Sequence, residues 1–121
     1  MFSPDNTAPI YLQIAEKIKN DIVSSELSPG MRLPSVRELA LQLKVNPNTV
    51  QKALAELENA GLLFTERTNG KFVTEDAELI KSVRGEYAKA VAENYLSSME
   101  KLGISRNDAI KYLKDLGGDT I

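Results

Sequence analysis

The chain has 121 residues, of which 42% are hydrophobic and 26% charged, a composition suited to one small folded domain with an appendage and too apolar for a disordered chain. It contains neither cysteine nor histidine, which excludes disulfides, thiolate chemistry, zinc fingers and every catalytic triad that needs an imidazole. With 15 basic and 17 acidic residues the net charge is −2, which argues against a nonspecific nucleic-acid coat.

No stretch approaches the roughly 18 consecutive apolar residues of a membrane span. The start, Met1-Phe2-Ser3-Pro4-Asp5, does not read as a signal peptide, so the expected location is the cytoplasm, with no membrane partner. Pro9 opens a segment in which Ile10, Ile14, Ile18 and Ile22 recur every four residues between polar neighbours. This spacing predicts an amphipathic helix over about 9–26, stopped by Ser28-Pro29-Gly30. Ser35 followed three residues later by Glu38 is a capping box, and Val36, Leu39, Ala40 and Leu43 form one buried stripe behind it.

The stripe breaks at Lys44-Val45, and Asn46-Pro47 starts a second helix with Val50, Ala53, Leu54 and Leu57 inward, ended by Gly61. Two short helices around a tight turn form a helix-turn-helix pattern. Next, Leu62–Thr65 and Lys71–Thr74 are β-prone runs flanking Thr68-Asn69-Gly70. Asn-Gly predicts a hairpin, since both residues tolerate positive φ. A long helix follows with a stripe through Ile80, Val83, Tyr87, Val91, Tyr95, Met99 and Leu102, closed by Gly103. Ser105 to Asp108 then starts a shorter one carrying Ala109, Ile110, Leu113 and Leu116. There is no internal repeat, linker or low-complexity tract.

The expected fold is mainly α with a small β-hairpin wing: a winged helix-turn-helix over residues 1–75 and a two-helix dimerisation element over 76–121. Between Arg32 and Lys52 the charges are Arg32, Arg37, Lys44 and Lys52 against Glu38, a local net of +3 within a slightly acidic chain. Where a second helix of this kind enters a major groove, its N-terminal residues meet base edges, here Asn48, Thr49, Gln51 and Lys52. Amides can bond two groups of one adenine, threonine can meet a thymine methyl, and lysine can meet guanine or phosphate. Ser35, Asn46 and the free N–H groups at the two helix starts suit phosphates, Arg32 and Arg37 would clamp the backbone, and Gly70 and Lys71 would bring the wing tip to the adjacent groove. Ser35 and Asn46 are equally readable as plain helix caps, and the two roles are compatible. Tyr87 and Tyr95 read as packed against a partner helix rather than stacked on a ligand.

Pro29-Gly30-Met31-Arg32-Leu33-Pro34-Ser35-Val36-Arg37-Glu38-Leu39-Ala40, Asn46-Pro47-Asn48-Thr49-Val50, Leu57-Glu58-Asn59-Ala60-Gly61-Leu62 and Gly70-Lys71-Phe72-Val73 closely resemble, in this order, the GntR family of bacterial transcription regulators, over about residues 9–74. The resemblance implies contact between DNA and both Arg32 and Arg37. Only 47 residues follow Thr74, fewer than a large ligand-binding module needs, and a long plus a short helix is similar to the YtrA subfamily, whose C-terminal part mainly dimerises. That likeness implies a repressor of a neighbouring transporter or efflux operon. Many members have arginine where this chain has Pro47 and Gln51, which implies a half-site leaning to A·T.

One such domain makes about four to six phosphate contacts, too few for tight binding, so a dimer is required. The Ile80, Val83, Tyr87, Val91, Tyr95 and Met99 stripe is too extended to be covered by a helix ending at Leu116. A two-fold dimer through residues 76–116 and an inverted-repeat operator are expected. The 47 residues after Thr74 leave room for a small-molecule effector in a shallow pocket between the long helix and the DNA-binding domain, but not for a dedicated sensor module. No metal or cofactor is expected, and no enzyme: Glu56 with Glu58, and Asp76 with Glu78, are two residues apart and do not share a helix face. A winged-helix protein-interaction module is the competing class, disfavoured by the basic run.

Overall fold

The structure, a computed structural model, describes residues 2–118. Met1 and residues 119–121, the outermost parts of the two expected domains, lie outside the described residues. The element order is α1 (Ile10–Val23), α2 (Val36–Leu43), α3 (Pro47–Asn59), β1 (Leu63–Glu66), β2 (Gly70–Val73), α4 (Ala77–Lys101) and α5 (Arg106–Gly117). The chain divides into two compact units, Met1–Arg84 and Gly85–Ile121, with the boundary inside α4. Among the described residues no helix is long and apolar enough to cross a membrane.

In the first unit, α1 begins after Pro9, whose carbonyl accepts from Leu12 N–H at 3.1 Å. It ends at Val23, short of the expected residue 26, because Ser25 takes a left-handed φ of 68° and turns the chain out of the helix. The Ser35–Glu38 capping box is formed in both directions, each bond 3.1 Å. At the other end of α2, Lys44 adopts φ 58°, and Val45 N–H reaches back to Ala40 O at 3.1 Å. That left-handed residue makes the tight turn between α2 and α3, at a conformational cost that glycine would not incur. α3 starts where Asn46 and Pro47 predict, and Gly61, at φ 80°, ends it with Leu62 N–H donating to Leu57 O.

The core is one cluster in which Ile14, Ile18 and Ile22 of α1 meet Val50, Ala53, Leu54 and Leu57 of α3, with Leu39 and Ala40 of α2. Leu62, Leu63 and Val73 close it from the hairpin side. β1 and β2 pair antiparallel, Leu63 opposite Val73 and Glu66 opposite Gly70. The sheet also has an unexpected neighbour: Arg32 bridges Phe72, Leu33 N–H donates to Lys71 O, and Val73 N–H to Met31 O, so residues 31–33 line the free edge of β2. The hairpin turn differs from expectation as well. Asn69 does not take positive φ; Asn69 N–H donates to Glu66 O at 3.1 Å, and Gly70 alone is left-handed, at φ 98°. The connection is thus a three-residue loop, Arg67 to Asn69, with the left-handed glycine as the first residue of β2.

α4 starts after Asp76, whose carboxylate accepts from Leu79 N–H at 3.1 Å. Its opening turns belong to the first unit: Ile80 is 4% exposed within the core, Leu79 and Val83 pack against it, and Arg84 Nε donates to Val23 O at 2.7 Å. This corrects the expected dimerisation stripe at one end, since Ile80 has no surface left for a second chain and Val83 is partly covered. The same packing carries the first unit past the boundary expected between residues 75 and 76. In the second unit, Gly103 ends α4, Ser105 caps α5 by accepting from Asp108 N–H, and Tyr95 O–H donates to Ala109 O at 2.6 Å.

Gly85 lies in the middle of α4, and a Cβ built on it meets nothing within 4 Å. Gly85→Ala should therefore raise the stability of the helix by about 0.5–1 kcal/mol, read as an increase in denaturation midpoint; a decrease would mean that the position needs glycine for a reason other than space.

Candidate nucleic-acid interface

The four apolar residues of α3 face the core, so the intervening positions face solvent. Asn46, Asn48, Gln51 and Lys52 are exposed and Thr49 is half-buried. Asn46 Oδ1 accepts from Asn48 N–H at 2.8 Å, and Ser35 Oγ accepts from Glu38 N–H. Both caps use the acceptor atom, which leaves the Asn46 amide NH2 and the Ser35 hydroxyl hydrogen available as donors. The cap and phosphate roles can therefore coexist at each residue.

The cations divide into engaged and open groups. Lys52 Nζ lies 4.3 Å from the centre of the Tyr11 ring, a cation–π contact between α3 and α1. The Lys71 ammonium pairs with the Glu58 carboxylate and donates to Thr65 Oγ1 at 3.0 Å, while Thr65 itself donates to Glu58. The bonds from Lys71 and then Thr65 hold the Glu58 carboxyl below the usual carboxylate range. By contrast, Arg37, Lys44 and Arg67 are exposed and make no ion pair or side-chain hydrogen bond among the described residues. Arg32 is exposed as well, with its guanidinium against the wing tip: a Cβ on Gly70 would lie 3.4 Å from Arg32 Nε. Glu38 is held low by its Ser35 backbone and hydroxyl bonds, with a smaller contribution from Arg32.

Every expected DNA-facing residue thus lies in the first unit, on α2, on the N-terminal half of α3, on the hairpin or on the edge segment beside it. Sequence reasoning missed Arg67, at the hairpin turn, although its place between two β-prone runs was a readable signal. It also missed the row Arg32, Phe72, Phe64, which directly paired positions place on one face of the sheet, the two rings stacked 5.6 Å apart. Among the described residues no group of histidine, cysteine or acidic side chains could hold a metal ion.

A helix-turn-helix whose second helix shows a polar N-terminal face, followed by a hairpin with an arginine at its tip, defines the class of winged helix-turn-helix proteins. Residues 10–73 match the family described as bacterial regulatory proteins, gntR family, and the chain belongs to that family. It is 40% identical over 109 residues, 90% of each chain, to the uncharacterized HTH-type transcriptional regulator YhcF of Bacillus subtilis. To the HTH-type transcriptional repressor YtrA of the same organism it is 44% identical over 75 residues, 62% of this chain and 58% of that one. Among solved structures, a GntR family transcriptional regulator from Listeria monocytogenes superposes with a TM-score of 0.81 at 43% identity, covering 92% of this chain and 97% of that one. The DNA-binding domain of AraR in complex with operator ORX1 does so with a TM-score of 0.55 at 30% identity, over 61% and 93%. The family consists of DNA-binding transcription regulators, not enzymes.

Because the folded Glu58 carboxyl is shifted down, whatever stability its bonds contribute is present above the normal carboxylate range and is lost as pH falls through the lower folded value. The pair is about a third exposed, 31% at Glu58 and 27% at Lys71, so that contribution is about 0.5–1 kcal/mol at neutral pH. Glu58→Gln should be destabilised by that amount at pH 7, and in thermal denaturation its difference from wild type should shrink steadily as pH falls below the normal carboxylate range. A difference that persists in acid would show that the carboxylate charge is not its source.

Proposed function

We propose that this chain is a sequence-specific repressor that binds an inverted-repeat operator as a homodimer. The observation that carries this reading is the exposed face Asn46, Asn48, Gln51 at the start of α3, set among the open cations Arg32, Arg37 and Lys44 and the wing-tip Arg67. α3 supplies base-edge donors and acceptors, and the cations and helix N-termini supply the phosphate attraction. Glutamine at position 51 and proline at 47 leave α3 without an arginine fork for guanine, which favours an A·T-leaning half-site.

The homodimer is supported by the second unit, which is too small to bury its own apolar residues: Val91 is 69% and Leu116 85% exposed, and Leu102, Ile110, Tyr112 and Leu113 are exposed as well. The contact is built on Tyr87, Val91, Tyr95 and Met99 of the expected stripe together with this outer face of α5; Ile80 and Val83 take little part. Repression of a transporter or efflux operon follows from likeness to YtrA-type regulators, and repression agrees with the name of the Bacillus subtilis repressor YtrA; release by a small-molecule effector and a cytoplasmic location fit a DNA-binding regulator of this size.

The test is selection of bound sites from random duplexes, followed by titration of the selected duplex with dimer stoichiometry. Asn48→Ala and Gln51→Ala should each cost about 1–3 kcal/mol at the selected site and relax base preference at one position. Uniform loss across all sequences would make them phosphate contacts instead, and G selected opposite Asn48 and Gln51 would reject the A·T reading. Val91→Asp should shift the protein to a monomer in sedimentation while leaving its helix content intact.

A further inference from the structure

We propose that Lys71 is a strut and not a DNA contact: with Thr65 and Glu58 it ties the wing to the recognition helix, and the wing's phosphate-binding cations are Arg67 and Arg32. The alternation of the hairpin leads there. Leu63 pairs with Val73 and Thr65 with Lys71, so these four side chains share one face of the sheet, and its lower half, Leu63 and Val73, is buried in the core against α3. Lys71 points the same way as Val73, toward the helix. There its ammonium meets Glu58, near the end of α3, and Thr65 Oγ1 completes the ring by accepting from Lys71 and donating to Glu58.

Each member of the ring is committed to the other two, and the lysine charge is neutralised where it stands. The opposite face of the sheet carries Arg32, paired with Phe72, with its guanidinium against Gly70. Arg67 sits in the turn with no partner among the described residues. Positive charge open to a phosphate is therefore found on the outer face and at the tip, not on the face that carries Lys71. The ring fixes the angle between wing and α3, which decides whether both can engage one stretch of duplex at once. Glu58 and Lys71 are accordingly positioning residues. The inference rests on the DNA-binding reading above.

The test uses the full chain and the charge-conserving double variant Glu58→Gln/Lys71→Gln, beside Arg67→Gln. Without DNA, a denaturation cycle over Glu58 and Lys71 should show that Lys71→Gln destabilises wild type and does nothing once Glu58 is glutamine. On a fluorescent duplex carrying the selected site, the double variant should bind several-fold more weakly with the same salt slope as wild type. Arg67→Gln should reduce that slope by about 0.9, the loss of one phosphate contact. A slope reduced by about 0.9 in the double variant would make Lys71 a phosphate ligand and overturn the proposal, as would an additive cycle or unchanged affinity. If wild type selects no site, the DNA reading fails on that result, and the cycle alone decides whether Lys71 is committed to Glu58.

Discussion

The structure depends on the seam between α1 and α3. Val50, Ala53, Leu54 and Leu57 of α3 are at most 1% exposed, and they meet an isoleucine stripe on α1 that is nearly as dry. Each large side chain in that seam contributes about 1.5–3 kcal/mol, against about 1 kcal/mol for a helix cap. Packing therefore decides that α3 exists and how it is rotated, while Asn46 and Pro47 decide where it begins. The rotation is the functional quantity. With the apolar quartet fixed inward, Asn48 and Gln51 have no choice but to face out, and no interaction with DNA is needed to hold them there.

Charge is arranged around this seam by a division between groups that stabilise the fold and groups left over. The ion pairs among the described residues are i,i+3 or i,i+4 contacts on α1 and the Glu58–Lys71 pair between α3 and the wing. None is deeply buried, so their effect on stability is small, and their effect on geometry is the more useful one. Near α2, the start of α3 and the wing, Arg32, Arg37, Lys44 and Arg67 remain without an ion pair and outnumber the carboxylates Glu38 and Glu66, which are hydrogen-bonded to neutral groups. A chain of net charge −2 can thus present a cationic surface without being basic as a whole.

Much of this was legible in the sequence. The capping box of Ser35 and Glu38, the Asn46-Pro47 start and the αL glycine at 61 are local chemistry, and local chemistry reads directly from neighbouring residues. The same holds for the helical period of the buried stripes. What escaped was non-local or depended on atoms beyond the backbone pattern. Residues 31–33 form no strand by themselves; they are extended because Lys71 and Val73 offer them partners forty residues later in the chain. Asn69-Gly70 suits positive φ at both residues, but the loop that starts at Arg67 needs it only at Gly70. The stripe on α4 is one surface in the sequence, because periodicity records only which residues share a helix face. It cannot record that the core of the first unit reaches Ile80 and stops near Val83, so only the first part of the stripe is buried there. The position of Lys71 in the wing is plain from the sequence, but its pairing with Glu58, thirteen residues earlier and on another element, is not.

The edge segment at residues 31–33 also bears on how the chain is made. Its partners are in β2, and the last core residue, Ile80, comes later still. A ribosome that has released α1, α2 and α3 has released a helix-turn-helix whose hairpin side is open, with Leu33 unpaired and Leu54 and Leu57 incompletely covered. Closure of the unit waits for the first turns of α4 to emerge, so the DNA-binding half cannot mature ahead of the helix that also runs into the second unit. Folding of the reader and synthesis of the element proposed to join two readers are in this way tied to the same moment of translation.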